Sequence, residues 1–210
     1  MTAARLPRSF FARPATDVAP DLLGHVLVRA FPDGTRAAAR IVEVEAYGPD
    51  DPASHAFRGE TPRNAVMFGR PGHLYVYFTY GMHHCMNAVA GRTGEGAAVL
   101  LRAGEPLAGL DGMERRRGRD RPIELCSGPG RFAQALGVDR SDDGLDLVTG
   151  SAAWVERGIR SEPITTGPRV GVHDLERRWR YWLEGNPFVS RGRPGPPTGR
   201  RRPRPASTRP

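Results

Sequence analysis

The alternation of hydrophobic and polar residues predicts a chain rich in β-strands. Period-two alternation with β-branched and aromatic side chains predicts strands over residues 25–30, 36–47, 74–80, 85–89 and 97–103. Pro32, Asp33 and Gly34 provide turn residues between the first two strands, which are therefore expected to form a hairpin. Residues 48–71 have no periodicity and are rich in Gly, Pro, Asp and Thr, a composition typical of a functional or a disordered loop.

Hydrophobic spacing of three to four residues predicts a smaller set of helices. Helices are predicted over residues 16–23, 106–117, 128–136 and 175–184, the last of them amphipathic. Hairpin-like strands followed mainly by helices predict an α+β fold with one domain over residues 1–190. In this domain, helices are expected to pack on a curved, mostly antiparallel sheet that is partly open and barrel-like. Residues 191–210 are rich in Arg and Pro and are expected to form a disordered tail.

The charge of the chain indicates a polyanionic partner. The 210 residues carry a formal net charge of +8. Basic surfaces most often bind nucleic acid, although a soluble protein with a basic tail has the same net charge. No apolar stretch is long enough to cross a membrane, and residues 1–20 lack the apolar centre of a secretion signal. The expected compartment is therefore the cytoplasm.

The absence of lysine restricts the chemistry that the chain can perform. All 31 residues in the Lys and Arg total are Arg, a composition also typical of GC-rich genomes. No side-chain amine can form a Schiff base, so bond cleavage must use water, a carboxylate, a hydroxyl, a thiol or the chain terminus. The two cysteines, Cys85 and Cys126, are far apart in the sequence. They argue against a disulfide scaffold, a zinc ribbon or an iron–sulfur cluster.

The predicted strand 36–47 contains a candidate polar cluster. Because side chains alternate in a strand, Glu43, Glu45 and Tyr47 share one face, while the opposite face is apolar. Two carboxylates and a phenol on one face of a sheet could form the floor of a polar cleft. The alternative is an outer face of the sheet that is exposed to water.

The predicted strand 74–80 is rich in aromatic residues, and most of its side chains are expected in the core. Tyr75, Tyr77 and Thr79 share one face of this strand. Tyr80 directly precedes Gly81, and a large ring at a hairpin tip is hard to bury. Such a ring either inserts between DNA base pairs as a wedge or folds back on its own hairpin.

Histidines offer candidate ligands but no clear site. His83, His84 and Cys85 are consecutive in the sequence. Adjacent strand residues point to opposite sides of a sheet, so these three cannot all bind one metal ion, and no metal is predicted. His55, in the loop of residues 48–71, is either a structural histidine or a hydrogen-bond donor in a pocket.

Several blocks of the sequence together resemble the alkyladenine (3-methyladenine) DNA glycosylase family, which has mammalian and bacterial members. The matched blocks include Arg40-Ile-Val-Glu-Val-Glu-Ala-Tyr47, His55, Thr61-Pro-Arg-Asn64, Met67-Phe68, Pro71-Gly72, Leu74-Tyr-Val-Tyr77, Tyr80-Gly81-Met82, Cys85-Met-Asn87, Leu100-Leu-Arg102-Ala103, Leu125-Cys-Ser-Gly-Pro129, Gln134-Ala-Leu136, Arg169-Val-Gly171 and Asn186-Pro-Phe-Val-Ser190. They occur in the family's order and cover nearly everything except the termini, so the resemblance is specific. The sequence departs from the mammalian members at His83 and His84, where they carry aromatic rings.

This resemblance implies a monofunctional glycosylase that flips a damaged purine out of duplex DNA and hydrolyses its bond to deoxyribose. It implies a monomer associated with the bacterial nucleoid, and it implies no metal and no organic cofactor. Glu45 would be the general base, and Arg102 would help to hold the attacking water. The base pocket would consist of Tyr47, His55, Tyr77 and Asn87. Tyr80 would be the wedge that intercalates in the DNA. Weaker DNA contacts would come from Arg63, Met82 and His83. Within the pocket, Asn87 would exclude normal guanine by clashing with its exocyclic amine.

Three other functions remain open from the sequence. One is a catalytically silent member of the family that only recognises distorted DNA, although the presence of both Glu45 and Arg102 favours an enzyme. Charge alone is also compatible with an RNA-binding or ribosome-associated protein. The third alternative is a hydrolase of free nucleosides, whose activity would not require duplex DNA.

Overall fold

The structure is a computed structural model that describes residues 4–79 and 81–192. In this part of the chain the strands are β1 (Val26–Ala30), β2 (Arg36–Tyr47), β3 (Leu74–Thr79), β4 (His83–Ala90), β5 (Ala97–Ala108), β6 (Ala153–Glu156), β7 (Ile164–Gly167) and β8 (Arg180–Leu183). The helices are α1 (Arg8–Phe11), α2 (Ala15–Leu22), α3 (Ala65–Phe68), α4 (Leu110–Arg117), α5 (Pro122–Leu125) and α6 (Pro129–Ala135), and a 3₁₀ turn spans Arg140–Asp142. The predicted α+β class is confirmed.

The strands form one antiparallel sheet that is strongly curled. The main strand order is β3-β4-β5-β2-β1-β6, and β8 joins β7 to the edge of β2. One edge of β2 pairs with β1 through residues 36–40 and then with β8 through residues 43–45. The other edge pairs with β5 and contains several shifts in register. Because such bulges bend a strand and increase its twist, the sheet curls into a half-barrel.

The two faces of this sheet bury different kinds of residues. The main hydrophobic core lies on one face, where Val44, Val76 and Leu101 pack with Leu22 of α2 and Phe132 of α6. The opposite face carries a smaller cluster, which consists of Ala56, Met67, Tyr75, Val89 and Ala98. This second face is where polar residues of the central strands can form a site without entering the main core.

The loop of residues 48–71 is ordered and covers the second face. Buried Asn64 holds the loop together, because its side-chain oxygen accepts a hydrogen bond of 2.6 Å from the Thr61 amide. Its side-chain nitrogen donates to the carbonyl oxygens of His55 at 2.8 Å and Gly59 at 3.1 Å. A short helix, α3, follows at once. These bonds hold His55 over the sheet, so the loop contributes to the site described below.

The predicted strands are confirmed, and the bounds predicted for β2 are those observed. Strand β3 ends at Thr79, and Tyr80 lies outside the described residues. Phe78 departs from the expectation of a core position, because it is 47% exposed.

Two of the predicted helices need correction. The helix predicted over 106–117 begins only at Leu110, because β5 continues to Ala108 and pairs there with β2. The helix predicted over 175–184 is wrong, because this segment ends in strand β8. The edge of β2 is open beyond the end of β1, and pairing with it outweighs the helical spacing of the local sequence.

The predicted tail lies almost entirely outside the described residues, which end at Gly192. Arg191 and Gly192 are described and lie beside the site. Within the described ranges, no helix is both long and apolar enough to cross a membrane.

Candidate active site

One row of residues crosses the second face of the sheet from strand to strand. Tyr75 of β3 pairs with Asn87 of β4, which pairs with Leu100 of β5. Leu100 pairs with Glu45 of β2, and Glu45 pairs with Arg180 of β8. Antiparallel register therefore brings together residues that are more than a hundred positions apart in the sequence. It also places Glu45 near the middle of the sheet.

Glu45 is fully buried, yet its carboxylate is surrounded by donors. Its Oε1 atom accepts a hydrogen bond of 2.7 Å from the amide of Val170, and its Oε2 atom accepts one of 2.9 Å from the hydroxyl of Tyr47. The guanidinium of Arg102 lies 3.3 Å from Oε1. Burial, followed by the negative charge of Glu45, raises the pKa of Tyr47 well above its ordinary value, so this phenol remains a donor to the carboxylate.

Arg102 reaches Glu45 because strand β5 is irregular at this position. Glu43 pairs with Ala103 and Val44 pairs with Leu101, so Arg102 is an extra residue without a partner on β2. Such a bulge redirects a side chain relative to the regular pleat. Burial alone lowers the pKa of Arg102, but the charges of Glu45 and Glu43 outweigh this effect and raise the pKa. The guanidinium is therefore charged.

Glu43 anchors the other side of Arg102. This carboxylate is fully buried and accepts hydrogen bonds of 2.8 Å from Nε of both Arg102 and Arg180. The amide of Ser190 donates to it at 2.7 Å, and the Ser190 hydroxyl donates at 3.0 Å. The two glutamates share one face, as predicted. The alternative of a face exposed to water is wrong, because both carboxylates are buried.

Sequence reasoning missed Arg180 and Ser190 as partners of Glu43. Ser190 belongs to a block that resembles the glycosylase family, which was the one available signal, but no role could be attached to it. Arg180 carried no signal, because its segment was predicted as a helix. Their contacts depend on β8 and the chain after it returning to the edge of β2.

Aromatic rings form a small slot next to Glu45. The slot has a volume of about 70 Å³ and is lined by Tyr47, Ala53, His55, Met67, Tyr75, Tyr77 and Asn87. The rings of Tyr75 and Tyr77 stack with centroids 5.6 Å apart. The exposed His55 ring meets Tyr77 edge to face at 4.5 Å, and its Nδ1 lies 3.0 Å from the Tyr75 hydroxyl. All four residues predicted for the base pocket therefore line one cavity.

Partial burial changes the ionisation of the slot residues. It raises the pKa of Tyr75 to about 12 and raises that of Tyr77 above its ordinary range. It lowers the pKa of His55, and the positive charge of Arg63 adds to this effect. At neutral pH the slot therefore presents neutral phenols and a neutral imidazole.

A buried ion pair supports the slot from behind. Both terminal nitrogens of Arg169 bond the Asp51 carboxylate, one of them at 2.9 Å, and Arg169 also donates to the carbonyl of Ala46 at 2.9 Å. The Arg169 guanidinium lies 4.6 Å from the centroid of the Tyr47 ring. Since Val170 follows directly and bonds Glu45, this pair fixes both the catalytic carboxylate candidate and one wall of the slot. No local pattern or family block had indicated a role for Asp51.

A larger cavity, which we call the mouth, opens beside the slot. It has a volume of about 370 Å³, and its lining includes Thr79, His83, Cys85, Arg102, Arg131 and Ser190. Tyr77 lines the slot, whereas Cys85, its cross-strand partner, lines the mouth. Paired residues of the β3–β4 hairpin therefore line both cavities.

The residues predicted to contact DNA lie around the β3–β4 hairpin. The side chain of exposed Arg63 lies 3.4 Å from the carbonyl of Phe78. Met82 is 68% exposed in the turn, and exposed His83 begins β4 at the mouth. Tyr80, the predicted wedge, lies outside the described residues, so its role stays a prediction.

Comparison with known proteins assigns the chain to a family. A family model described as methylpurine-DNA glycosylase matches residues 9–187. A Streptomyces avermitilis protein, provisionally named a 3-methyladenine DNA glycosylase, is 52% identical over 93% of this chain and 95% of its own length. A protein with the same provisional name from Burkholderia lata is 51% identical over 94% of this chain and 94% of its own length. Another from Methanocella arvoryzae is 46% identical over 90% of this chain and 98% of its own length. The chain therefore belongs to the methylpurine-DNA glycosylase family and is a DNA glycosylase, a hydrolase that acts on N-glycosyl bonds of DNA.

Proposed function

We propose that this glycosylase flips alkylated or deaminated purines out of duplex DNA and hydrolyses their N-glycosidic bonds, leaving an abasic site for base excision repair. The observation that carries the proposal is the approach of Arg102 to within 3.3 Å of Glu45, next to a slot lined by aromatic rings. All of these residues come from one chain, so a monomer is sufficient for the reaction.

Flipping is required because a base inside the duplex cannot reach a buried carboxylate. Extrusion of a nucleotide costs a few kcal/mol, and less for a damaged or mispaired base. We assign the wedge that fills the vacated space to Tyr80. Its described neighbours Thr79 and Met82 are joined by a hydrogen bond of 3.2 Å from the Met82 amide to the Thr79 carbonyl. Arg63 and His83 would hold the DNA backbone on either side of this hairpin.

Entry of the base requires the slot to widen. A purine that stacks between two rings needs about 7 Å between them, since each contact takes about 3.5 Å. The rings of His55 and Tyr77 are only 4.5 Å apart and meet edge to face. We infer that the rings around the slot move apart when the base binds.

Selectivity follows from the charge of the lesion and from the shape of the slot. Alkylation at N3 or N7 makes a purine cationic, and a cation over aromatic rings gains about 0.5–2 kcal/mol. Neutral His55 permits this stacking, whereas a protonated ring would repel the lesion. Asn87 lies in the floor, where its side chain donates to the Tyr75 carbonyl at 3.1 Å. In that fixed position, it would clash with the exocyclic amine of guanine.

The bond is broken by water with Glu45 as the base. As the C–N bond breaks, its electron pair leaves with the purine and the sugar becomes oxocarbenium-like. Water adds to the sugar carbon, and Glu45 accepts the proton that water loses. A carboxylate offers about four acceptor positions. Val170 occupies one position on Oε1 and Tyr47 one on Oε2, and the Arg102 guanidinium lies against Oε1 as an ion pair, so a position on Oε2 is left for the water.

The test is single-turnover excision by a Glu45→Gln variant. Loss of a general base lowers the rate by about 10²- to 10⁴-fold. Arg102 keeps its bond to Glu43, so the variant is expected to fold and to bind lesion-containing duplex as the wild type does. Glu60→Gln, the same change at an exposed position, serves as the control and should leave the rate unchanged. Wild-type excision by Glu45→Gln would remove this residue from the proposed role.

The product of the same assay tests the monofunctional mechanism. Because the chain has no lysine, no side-chain amine is available for the Schiff base that leads to strand cleavage. The purified protein should therefore leave an intact strand with an abasic site, which breaks only after alkali treatment. Duplexes with methylated purines, hypoxanthine or etheno-adenine, compared at equal concentration, would rank the substrates. Strand nicking without alkali would contradict the mechanism.

A further inference from the structure

A cavity rich in arginine lies beside the mouth. It has a volume of about 490 Å³, and five guanidinium groups line it, those of Arg117, Arg119, Arg121, Arg131 and Arg191. They come from the end of α4, the segment between α4 and α5, helix α6 and the chain after β8. Glu124 is the one carboxylate in the described lining. We call this cavity the arginine groove.

The arginine groove is continuous with the active site. Ser127, Arg131 and Arg191 line both the groove and the mouth. The mouth in turn is lined by Arg102 and His83. These shared residues give a strand whose nucleotide is flipped toward Arg102 a continuous path from the mouth into the groove. The groove is the cavity that a neighbouring part of the strand would meet there.

The positive charges of the groove are only partly neutralised by the protein. Glu124 is shared by Arg121, at 3.0 Å, and Arg119, at 3.8 Å. Arg117 bonds the carbonyl of Leu125 at 3.0 Å, and Arg131 bonds that of Ser127 at 3.3 Å.

The crowded guanidinium groups also influence one another. Burial lowers the pKa of Arg117, and the charges of Arg131 and Arg119 lower it further. Within the described residues, neither Arg117 nor Arg131 forms a salt bridge with a carboxylate. Cations crowded in this way favour a ligand that carries several negative charges.

We propose that the arginine groove binds the phosphate backbone of the duplex next to the flipped nucleotide. Planar guanidinium groups bind phosphate oxygens in pairs, which suits Arg better than Lys. Phosphate contacts position a protein on DNA without reading the sequence. The groove therefore supplies affinity and register, while the slot supplies selectivity. This proposal rests on the proposed function, since it takes the flipped nucleotide as its reference point.

The experiment uses a double variant, Arg119→Gln/Arg121→Gln, in the full-length protein. These two side chains are 61% and 71% exposed, and they lie outside the mouth, so their removal should not disturb the fold or the reacting groups. The matched control is Arg92→Gln. Arg92 is exposed beyond the far end of β4, and this strand separates it from the mouth by roughly 23 Å, at 3.3 Å per residue.

The dissociation constant for a lesion-containing duplex is measured at several salt concentrations. Each lost phosphate contact makes the negative slope of log affinity against log salt shallower by about 0.9. The slope of the double variant should therefore be shallower than that of the wild type by about 1.8. Between 50 and 200 mM salt, the wild type should therefore lose roughly 12-fold more affinity than the variant. An undamaged duplex should give the same difference in slope. A slope equal to that of the wild type, or an equal change in Arg92→Gln, would overturn the proposal.

A second measurement locates the contact. Single phosphates on either side of the lesion are replaced, one at a time, by uncharged methylphosphonate. At one or more positions this replacement should weaken binding by the wild type but not by Arg119→Gln/Arg121→Gln. If no position behaves in this way, the groove does not bind the DNA backbone. The same conclusion follows if the double variant loses more affinity for an RNA duplex than for a DNA duplex.

The proposed function and the groove fail in different ways. Glu45→Gln should lose excision but keep the wild-type salt slope, because every guanidinium of the arginine groove is unchanged. Activity retained by Glu45→Gln would reject the proposed mechanism, whereas an unchanged salt slope in the double variant rejects only the groove.

Discussion

Replacement of Glu43 by glutamine is expected to destabilise the protein strongly. Glu43 is fully buried and is the carboxylate that pairs with Arg180 in the described structure, and it also bonds Arg102. Glutamine keeps the size and one acceptor oxygen but removes the charge. Arg102 retains Glu45, whereas the guanidinium of Arg180, whose side chain is 10% exposed, is left without a counter-ion.

The expected magnitude follows from the burial of this pair. Removal of one partner from a buried salt bridge lowers the free energy of unfolding by about 3–5 kcal/mol. Because glutamine still forms neutral hydrogen bonds, we expect Glu43→Gln to lose about 3 kcal/mol, the lower end of this range. For a chain of this size, each kcal/mol lowers Tm by about 2–4 °C, so a decrease of about 6–12 °C is expected. Excision should also slow, since Arg102 would be held by one carboxylate rather than two.

Thermal unfolding followed by circular dichroism measures this effect against a matched variant. In Glu105→Gln, Arg40 loses its charged hydrogen bond of 2.7 Å to Glu105 but keeps its ion pair with Glu162. Both Arg40 and Glu105 are partly exposed. A loss of at most about 1 kcal/mol is expected there.

A double variant tests whether the unpaired charge is the cause. Glu43→Gln/Arg180→Met should lose less stability than the sum of the single variants, by about 0.5–3 kcal/mol. A Tm for Glu43→Gln within 2 °C of the wild type, or strict additivity in the double variant, would refute the reasoning.

Two further predictions concern the DNA-facing side of the site. Because burial keeps the pKa of His55 below its ordinary value of 6.5, the imidazole is neutral at pH 7. Excision of a cationic lesion should therefore fall only when the pH is lowered below 6.5, where the ring gains a proton. His55→Gln should lack this acid limb, so an identical pH profile would contradict the role of the imidazole. Tyr80→Ala should weaken binding to a lesion-containing duplex and slow excision at limiting enzyme, and an unchanged dissociation constant would reject the wedge.

Local patterns were sufficient for most of the strands and for one essential part of the site. The period of two in a strand depends only on backbone geometry. For this reason the sequence predicted that Glu43, Glu45 and Tyr47 share a face, and the contacts of Arg102 with both glutamates confirm it. The resemblance to a glycosylase family added Arg102 and the slot residues, which no local pattern could have joined to Glu45.

Where neighbouring strands determined the outcome, local patterns failed. The segment 175–184 has helical spacing, but the open edge of β2 pairs with Arg180–Leu183 and makes it a strand. The irregular position of Arg102 in β5 likewise depends on how β2 and β5 are aligned. Hydrogen bonds between distant segments outweigh intrinsic preferences of less than about 1 kcal/mol per residue.

By itself, the sequence determined the alternation that puts two carboxylates on one face, the lack of any side-chain amine, and the family to which the chain belongs. Only the tertiary structure decided what surrounds each carboxylate. Glu43 is enclosed by Arg102, Arg180 and Ser190, whereas Glu45 is bonded by Val170 and by Tyr47, which lines the slot. Two identical side chains on one strand differ because the partners that distinguish them come from segments more than a hundred residues away, Arg180 and Ser190 for Glu43 and Val170 for Glu45.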